Sequence, residues 1–413
     1  MICRAYILVC LVLLGMCGLH APVLCEDDIN TTWRVQEQIS ARINVASKGK
    51  VDEAARELKM LYSEFDGKPQ GAAILNGLGA IYEKTSPQRA LSYYQKAVDY
   101  KVPSDAWNFE EQRALQNLSR VYANIGNYKN AVETLSRWDI REPCGNGAAY
   151  SEFQKAIRMW ELRMHCEDRR KVLAGIWSEM ESGEVKLGVG LGADADTWAL
   201  SIRIISSPKY IRQLEDDAQT TLDRLKEKTF ADDPLKNYRV KDTLAVASAV
   251  LSQSEYRKNV ARYDVQQLVS ELERLNKRDK AHGSPQNLFS SEDTYSQWKE
   301  QLVIARISKI GSKVVTVLIE SHEQMYNILA LYALGIIGGD KSVAYLTNKA
   351  ETEQNVYCLV DYYFCMLATK DPAARKLVED VANEIIESNK RNAAQQVLRM
   401  KLPDISRITS IGK

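Results

Sequence analysis

One stretch restricts the fold more than any other, Arg113 to Trp138, RALQNLSRVYANIGNYKNAVETLSRW. Apolar or small residues at Leu118, Ser119, Tyr122, Ala131, Leu135 and Trp138 flank the turn Gly126-Asn127-Tyr128. Their spacing predicts two amphipathic helices folding back on each other around one glycine. Ser119 and Ala131 are small where the two backbones must come closest, since a larger side chain there would hold the helices apart. With only ten prolines in 413 residues and helical periodicity throughout, the chain is expected to be all-α.

The order of this hairpin, large apolar, small, aromatic, glycine, aromatic, small, large apolar, resembles the tetratricopeptide repeat. Ala72 to Pro103 repeats it, with Leu78, Gly79 and Tyr82 in the first helix, Ala90, Tyr94 and Ala97 in the second, and Val102-Pro103 as the close. Its turn is one residue short. Leu78 and Leu118 are 40 positions apart, against about 34 in the standard unit, so an extension carrying Trp107 and Phe109 lies between the repeats. Trp33 to Phe65 is similar but degenerate: Ile39, Ile43 and Val45 precede Lys48-Gly49-Lys50, Ala54, Leu58 and Leu61 follow, and Arg42 stands where the family has a small residue. A fourth hairpin lacks the signature and is expected to pack on or cap the array. It has apolar stripes Ala149, Phe153, Ala156, Ile157, Trp160, Met164 and Val172, Leu173, Ile176, Trp177, Met180.

Gly188, Gly190 and Gly192 offer backbone N-H groups of the kind that cradle phosphate, but no strand precedes them and no βαβ pattern surrounds them, so an inter-domain loop is expected. Long helices follow. Ser207-Pro208 reads as a cap before the stripe Ile211, Leu214, Ala218, Leu222, Leu225; Asp233-Pro234 starts a helix burying Val240, Leu244, Ala247 and Leu251; Val265, Leu268, Leu272 and Leu275 mark a third. After a loop over 281–290, ARISKIGSKVVTVL, ALGIIGGDKSVAYL and CMLATKDPAARKLV begin at Ala305, Ala333 and Cys365, 28 and 32 residues apart. The second resembles a short HEAT-type repeat and the others follow it loosely. The expected organisation is a signal peptide over 1–25, a tetratricopeptide-like domain over 26–181, a helical middle region over 182–290, a HEAT-like region over 291–402 and a loose tail over 403–413.

Residues 1–25 have a charged start at Arg4, an apolar run from Ala5 to Leu14 and the end Val23-Leu24-Cys25, the pattern of a secretory signal cleaved after Cys25. An uncleaved anchor is the alternative, although the run is short of the roughly 20 residues a span needs. The expected localisation is periplasmic or secreted. Without Arg4 the chain carries 54 basic and 54 acidic side chains, and no Lys/Arg run stands out. That excludes the electrostatic footprint of a nucleic-acid binder, and membrane attachment is expected only through a retained signal. Of the four cysteines left, Cys358 and Cys365 lie seven residues apart on one predicted helix, about 10 Å. Cys144 and Cys166 flank another helix. Buried thiols, not disulfides, are expected.

Catalytic chemistry is sparse. His322-Glu323 begins like a zinc-protease helix, but Tyr326 occupies the place of the second ligand. His165 beside Cys166 offers half a metal site and reads better as a packed helix end. Asn30-Thr-Thr and Asn117-Leu-Ser match glycosylation acceptors, the second inside a predicted helix. No enzyme, cofactor or metal is expected. The tetratricopeptide resemblance implies that first helices line a concave groove. It assigns Ala73, Asn76, Ala80 and Glu83 of one repeat and Arg113, Gln116, Arg120 and Asn124 of the next to that groove. Asn76 and Arg120 have the chemistry to hold a peptide backbone or carboxylate, although the lysines of the family's two-carboxylate clamp are missing. The expectation is thus an exported, non-catalytic all-α solenoid that binds a protein or peptide of unstated identity. The alternatives are an assembly factor for an envelope or secretion complex, or a small-ligand binder or enzyme with a site around Gly188 to Trp198.

Overall fold

The computed structural model describes residues 26–101, 109–139, 146–187, 193–228, 233–278, 298–384 and 388–400. The signal peptide, Cys144, the glycines at 188, 190 and 192, the loop over 281–290 and the tail over 403–413 fall outside them. The protein is all-α, and among the described residues no β-strand occurs. It divides into two compact units, Met1–Pro143 with Glu161–Glu167, and Cys144–Trp160 with Asp168–Lys413.

The first unit contains α1 (Glu26–Ser47), α2 (Val51–Phe65), α3 (Gln70–Tyr82), α4 (Pro87–Val98), α5 (Phe109–Asn124) and α6 (Tyr128–Ser136). Each helix packs on the next, and the first helices also touch in order, α1 on α3 and α3 on α5. The central hairpin is built as its residues require. Gly126 takes φ +80°, a left-handed conformation that costs glycine little, and the Asn127 side chain caps α6 by accepting from the Asn130 N-H at 3.3 Å. Across the hairpin, the buried Ser119 hydroxyl donates to the Ala131 carbonyl at 2.8 Å. In the preceding hairpin Gly79 does the same spatial work, since a Cβ there would lie 2.5 Å from the Tyr94 ring. Arg42 does not intrude on the packing of α1 and α2. It stays half-exposed and pairs with Glu57 across the hairpin.

In the second unit, α8 (Arg169–Ser182), α9 (Ala195–Ser206), α10 (Ile211–Leu225) and the 29-residue α11 (Pro234–Arg262) form one group. α7 (Asn146–Cys166) contributes its residues up to Trp160 to this unit. Two sequence expectations are corrected here. Ser207 makes no cap hydrogen bond; it takes φ 64°, and Pro208–Tyr210 form a 3-10 turn before α10. Along α11 the buried line is Val240, Thr243, Ala247 and Val250, with Leu244 and Leu251 only half-buried. α11 is covered by α8, α9 and α10 and, further along, α13, so more than one of its faces is interior and a single stripe cannot describe it. Asp233 caps α11 as expected, accepting from the Lys236 N-H at 2.9 Å.

The remainder is a set of hairpins: α12 (Val265–Arg278), α13 (Trp298–Ile310), α14 (Val315–Met325), α15 (Ile328–Ile337), α16 (Asp340–Thr352), α17 (Val356–Ala368), α18 (Pro372–Ala382) and α19 (Asn389–Leu398). α13, α15, α17 and α19 touch in sequence, with α14 and α16 packed beside them and α18 against α17 and α19. A 3-10 turn over Gly311–Val314 joins α13 to α14, and further junctions fall at Gly338-Gly339 and at Asp371-Pro372, where Asp371 accepts from the N-H groups of Ala373 and Ala374. α15 and α17 are apolar on nearly all sides and almost wholly buried, as helices covered on several faces must be. A Cβ at Gly335 would sit 2.9 Å from the Cys365 carbonyl oxygen, so this glycine lets the two backbones meet.

Candidate functional site

One polar surface of the first unit lies on α5. Arg113, Gln116, Arg120 and Asn124 recur at three- and four-residue intervals and all four are exposed, forming one polar row along the helix. Between them, Leu115, Leu118, Ser119 and Val121 face the interior. The row is braced from below by two glutamates. Glu110, largely buried, accepts from Asn76 Nδ2 at 2.8 Å and from Gln36 Nε2 at 3.4 Å, and pairs with Arg113 at 3.8 Å. Glu83 accepts from the fully buried Tyr94 hydroxyl at 2.7 Å and pairs with Arg120.

These contacts set the protonation of the group. Burial, then Glu83, pushes the Tyr94 phenol far above its ordinary value. Burial alone would lower the Arg120 guanidinium, but the Glu83 carboxylate outweighs it and raises it. The guanidiniums of Arg113 and Arg120 are about half exposed. Each is therefore held at one side and open at the other, an arrangement suited to accepting a carboxylate with little loss of rotamer freedom.

The structure separates the predicted groove residues. Arg113, Gln116, Arg120 and Asn124 come together on one surface, and Glu83 joins them as a half-buried brace. Asn76 does not share their exposure. It is 4% exposed, and its amide nitrogen is spent on the backbone oxygen and carboxylate of Glu110, at 2.9 and 2.8 Å. α3 is flanked by α1 and α5, and the small side chains Ala73 and Ala80 let those neighbours close over this face. Glu110 escaped the sequence reading, and Tyr94 was read only as a repeat position; the one available signal for Glu110 was a Glu three residues before an Arg on a predicted helix.

A second polar cluster lies inside the other unit. His322, 3% exposed, has Nδ1 on the Asn327 carbonyl at 3.1 Å and Nε2 on the Tyr362 hydroxyl at 3.2 Å. Because a carbonyl only accepts, Nδ1 carries the proton and Nε2 accepts from the phenol. Burial holds His322 below its ordinary pKa. The Tyr332 hydroxyl donates to Asp361 at 3.3 Å. Burial of Asp361, which is 7% exposed, pushes its carboxyl up to about 7. An acidic residue in the apolar run VYCLVDYYFCMLA was its only trace in the sequence.

The cysteine expectation needs correction. Cys365 is buried, but Cys358 is intermediate and Cys166, the last residue of α7, is exposed. His165 does pack, its ring stacked on Tyr128 at 4.4 Å. Trp198, at the edge of the proposed ligand region, is fully buried, with its indole N-H donated to the Leu187 carbonyl at 3.1 Å. Among the described residues, no set of three His, Cys, Asp or Glu converges as a metal site, and no helix is long and apolar enough to cross a membrane.

No protein-family model matches this chain, and no curated protein does either.

Proposed function

We propose that this chain is an exported, non-catalytic protein-interaction scaffold of tetratricopeptide type, and that the exposed row on α5 receives an extended, carboxylate-bearing segment of a partner protein. The observation that carries this is the pair of half-exposed arginines, Arg113 and Arg120, each braced by its own glutamate. Seven residues separate them, about 10 Å along the helix. That spacing suits two acidic side chains, or one and a terminal carboxylate, on an extended peptide. Gln116 and Asn124 supply amides for the peptide backbone. The hairpins on which the row stands carry Gly79, Ser119 and Ala131 at the close contacts, which supports the tetratricopeptide reading. A scaffold role also accords with the perturbed groups His322 and Asp361 being sealed in a core, where substrate has no access.

The test is capture of partners from the native envelope by the full chain, wild type beside an Arg113→Glu, Arg120→Glu variant, followed by binding of acidic peptides derived from whatever is retained. A partner held by wild type and lost by the variant supports the proposal. Retention of every partner by the variant refutes it.

A further inference from the structure

A different face of the first unit carries a second interaction surface. Along the seam between α1 and α2 runs an open groove. One wall presents Arg34, Gln38 and Arg42 from α1, and the other presents Glu57 and Glu64 from α2. Its floor is apolar, with Val35 2% exposed and Leu61 and Phe65 half-buried. Met60, on the rim, is 64% exposed. No α3 residue lines it. Elsewhere in the unit the later helices pack on those before them: α3 on α1 and α2, α5 on α3 and α4. Among the described residues no earlier helix packs on α1 and α2.

We propose that this seam is where two copies of the chain associate, about a two-fold axis parallel to the seam. The charges favour that occupant. Arg42 lies opposite Glu57, so in the antiparallel hairpin Arg34 lies level with Glu64. A two-fold axis along the seam lays the α1 wall of one copy over the α2 wall of the other at the same height. Arg34 then faces Glu64 of the second copy and Arg42 faces its Glu57, twice over, as an isologous contact requires. A two-fold axis across the seam would instead set arginine against arginine. Between the walls, the Met60, Leu61 and Phe65 surfaces of the two copies meet and leave water.

Sedimentation equilibrium of the full chain over a concentration series tests this. Wild type is expected to be dimeric. Arg34→Glu and Glu64→Arg should each weaken the dimer about tenfold or more, because each sets like charges together at two symmetric points. The double variant, Arg34→Glu with Glu64→Arg, should recover most of the affinity, since both pairs re-form with reversed sign. Met60→Glu should dissociate the dimer without rescue. A wild type that stays monomeric up to roughly 100 μM overturns the proposal and leaves the seam to a helix of another protein. A dimer indifferent to both single variants, or one the double variant fails to restore, also overturns it. The α5 row is untouched by these changes, so partner capture through that row stands or falls separately.

Discussion

Replacing Asp361 with asparagine should remove a pH dependence from the second unit. Burial pushes this carboxyl from 3.8 up to about 7, so the folded chain holds its proton more tightly than the unfolded chain does. Below about pH 4 both states are protonated and folding bears no penalty. As pH rises through the interval the unfolded state ionises first, and stability falls until the folded carboxyl has also ionised, above about pH 7. At 1.36 kcal/mol per pKa unit the whole effect is about 4 kcal/mol, of which about 2–3 kcal/mol develops between pH 5 and pH 8. The groups facing Asp361 are Tyr332 from α15, Tyr326 from the α14–α15 turn, and Cys358, Tyr362 and Cys365 from α17. Burial raises all of these above neutrality, so they do not titrate in this window. His322, held low by burial, acts in the opposite sense: its contribution is present above the unfolded histidine value and is lost as pH falls. Comparing Asp361→Asn with wild type cancels it. Asparagine keeps an oxygen for the Tyr332 hydroxyl and cannot ionise. Urea unfolding at pH 5, 6, 7 and 8 should therefore show the variant gaining on wild type by about 2–3 kcal/mol across the series. Parallel pH profiles for the two proteins would refute the claim that Asp361 is buried against its charge.

Three further expectations are direct. Ala131→Trp should disrupt the central hairpin by about 3 kcal/mol or more, because the Ser119 hydroxyl already reaches the Ala131 backbone at 2.8 Å; an unchanged thermal melt by circular dichroism would show the repeat register to be wrong. Gly335→Ala should cost about 2–3 kcal/mol in chemical denaturation, since its Cβ meets the backbone of Cys365 at 2.9 Å and not a yielding side chain; a cost below about 0.5 kcal/mol would mean that α15 and α17 are further apart than drawn. Under native conditions a thiol reagent should modify exposed Cys166 first and buried Cys365 only on unfolding; equal labelling rates, read by mass, would contradict the burial pattern.

The turns and helix starts that the sequence did show were legible because they are decided locally. Gly126 with φ +80°, Asp233 and Asp371 at helix starts, and the small pair Ser119 and Ala131 act over one or two turns of chain, within reach of periodicity and capping rules. The row on α5 came from the tetratricopeptide resemblance, which assigns Arg113, Gln116, Arg120 and Asn124 to a groove, and the structure leaves all four exposed. Burial of individual polar groups was not legible. Asn76 occupies the same helical position as Gln116, yet α1 and α5 close over α3 and turn its amide to Glu110. Arg42 stands where the repeat family has a small residue, and only the structure shows it paired with Glu57. Asp361 lies in a run that pattern alone reads as core, and only the approach of α15 to α17 makes its carboxyl a titrating group near neutrality. The sequence by itself determined the all-α class and the hairpins around Gly126 and the helix start at Asp233, because hydrogen bonds and capping along one helix are properties of neighbouring residues; it did not show the helix Ala195–Ser206. Which side chains meet solvent, which pair and which are pushed off their ordinary pKa were decided by tertiary packing, because desolvation depends on helices that approach from far along the chain.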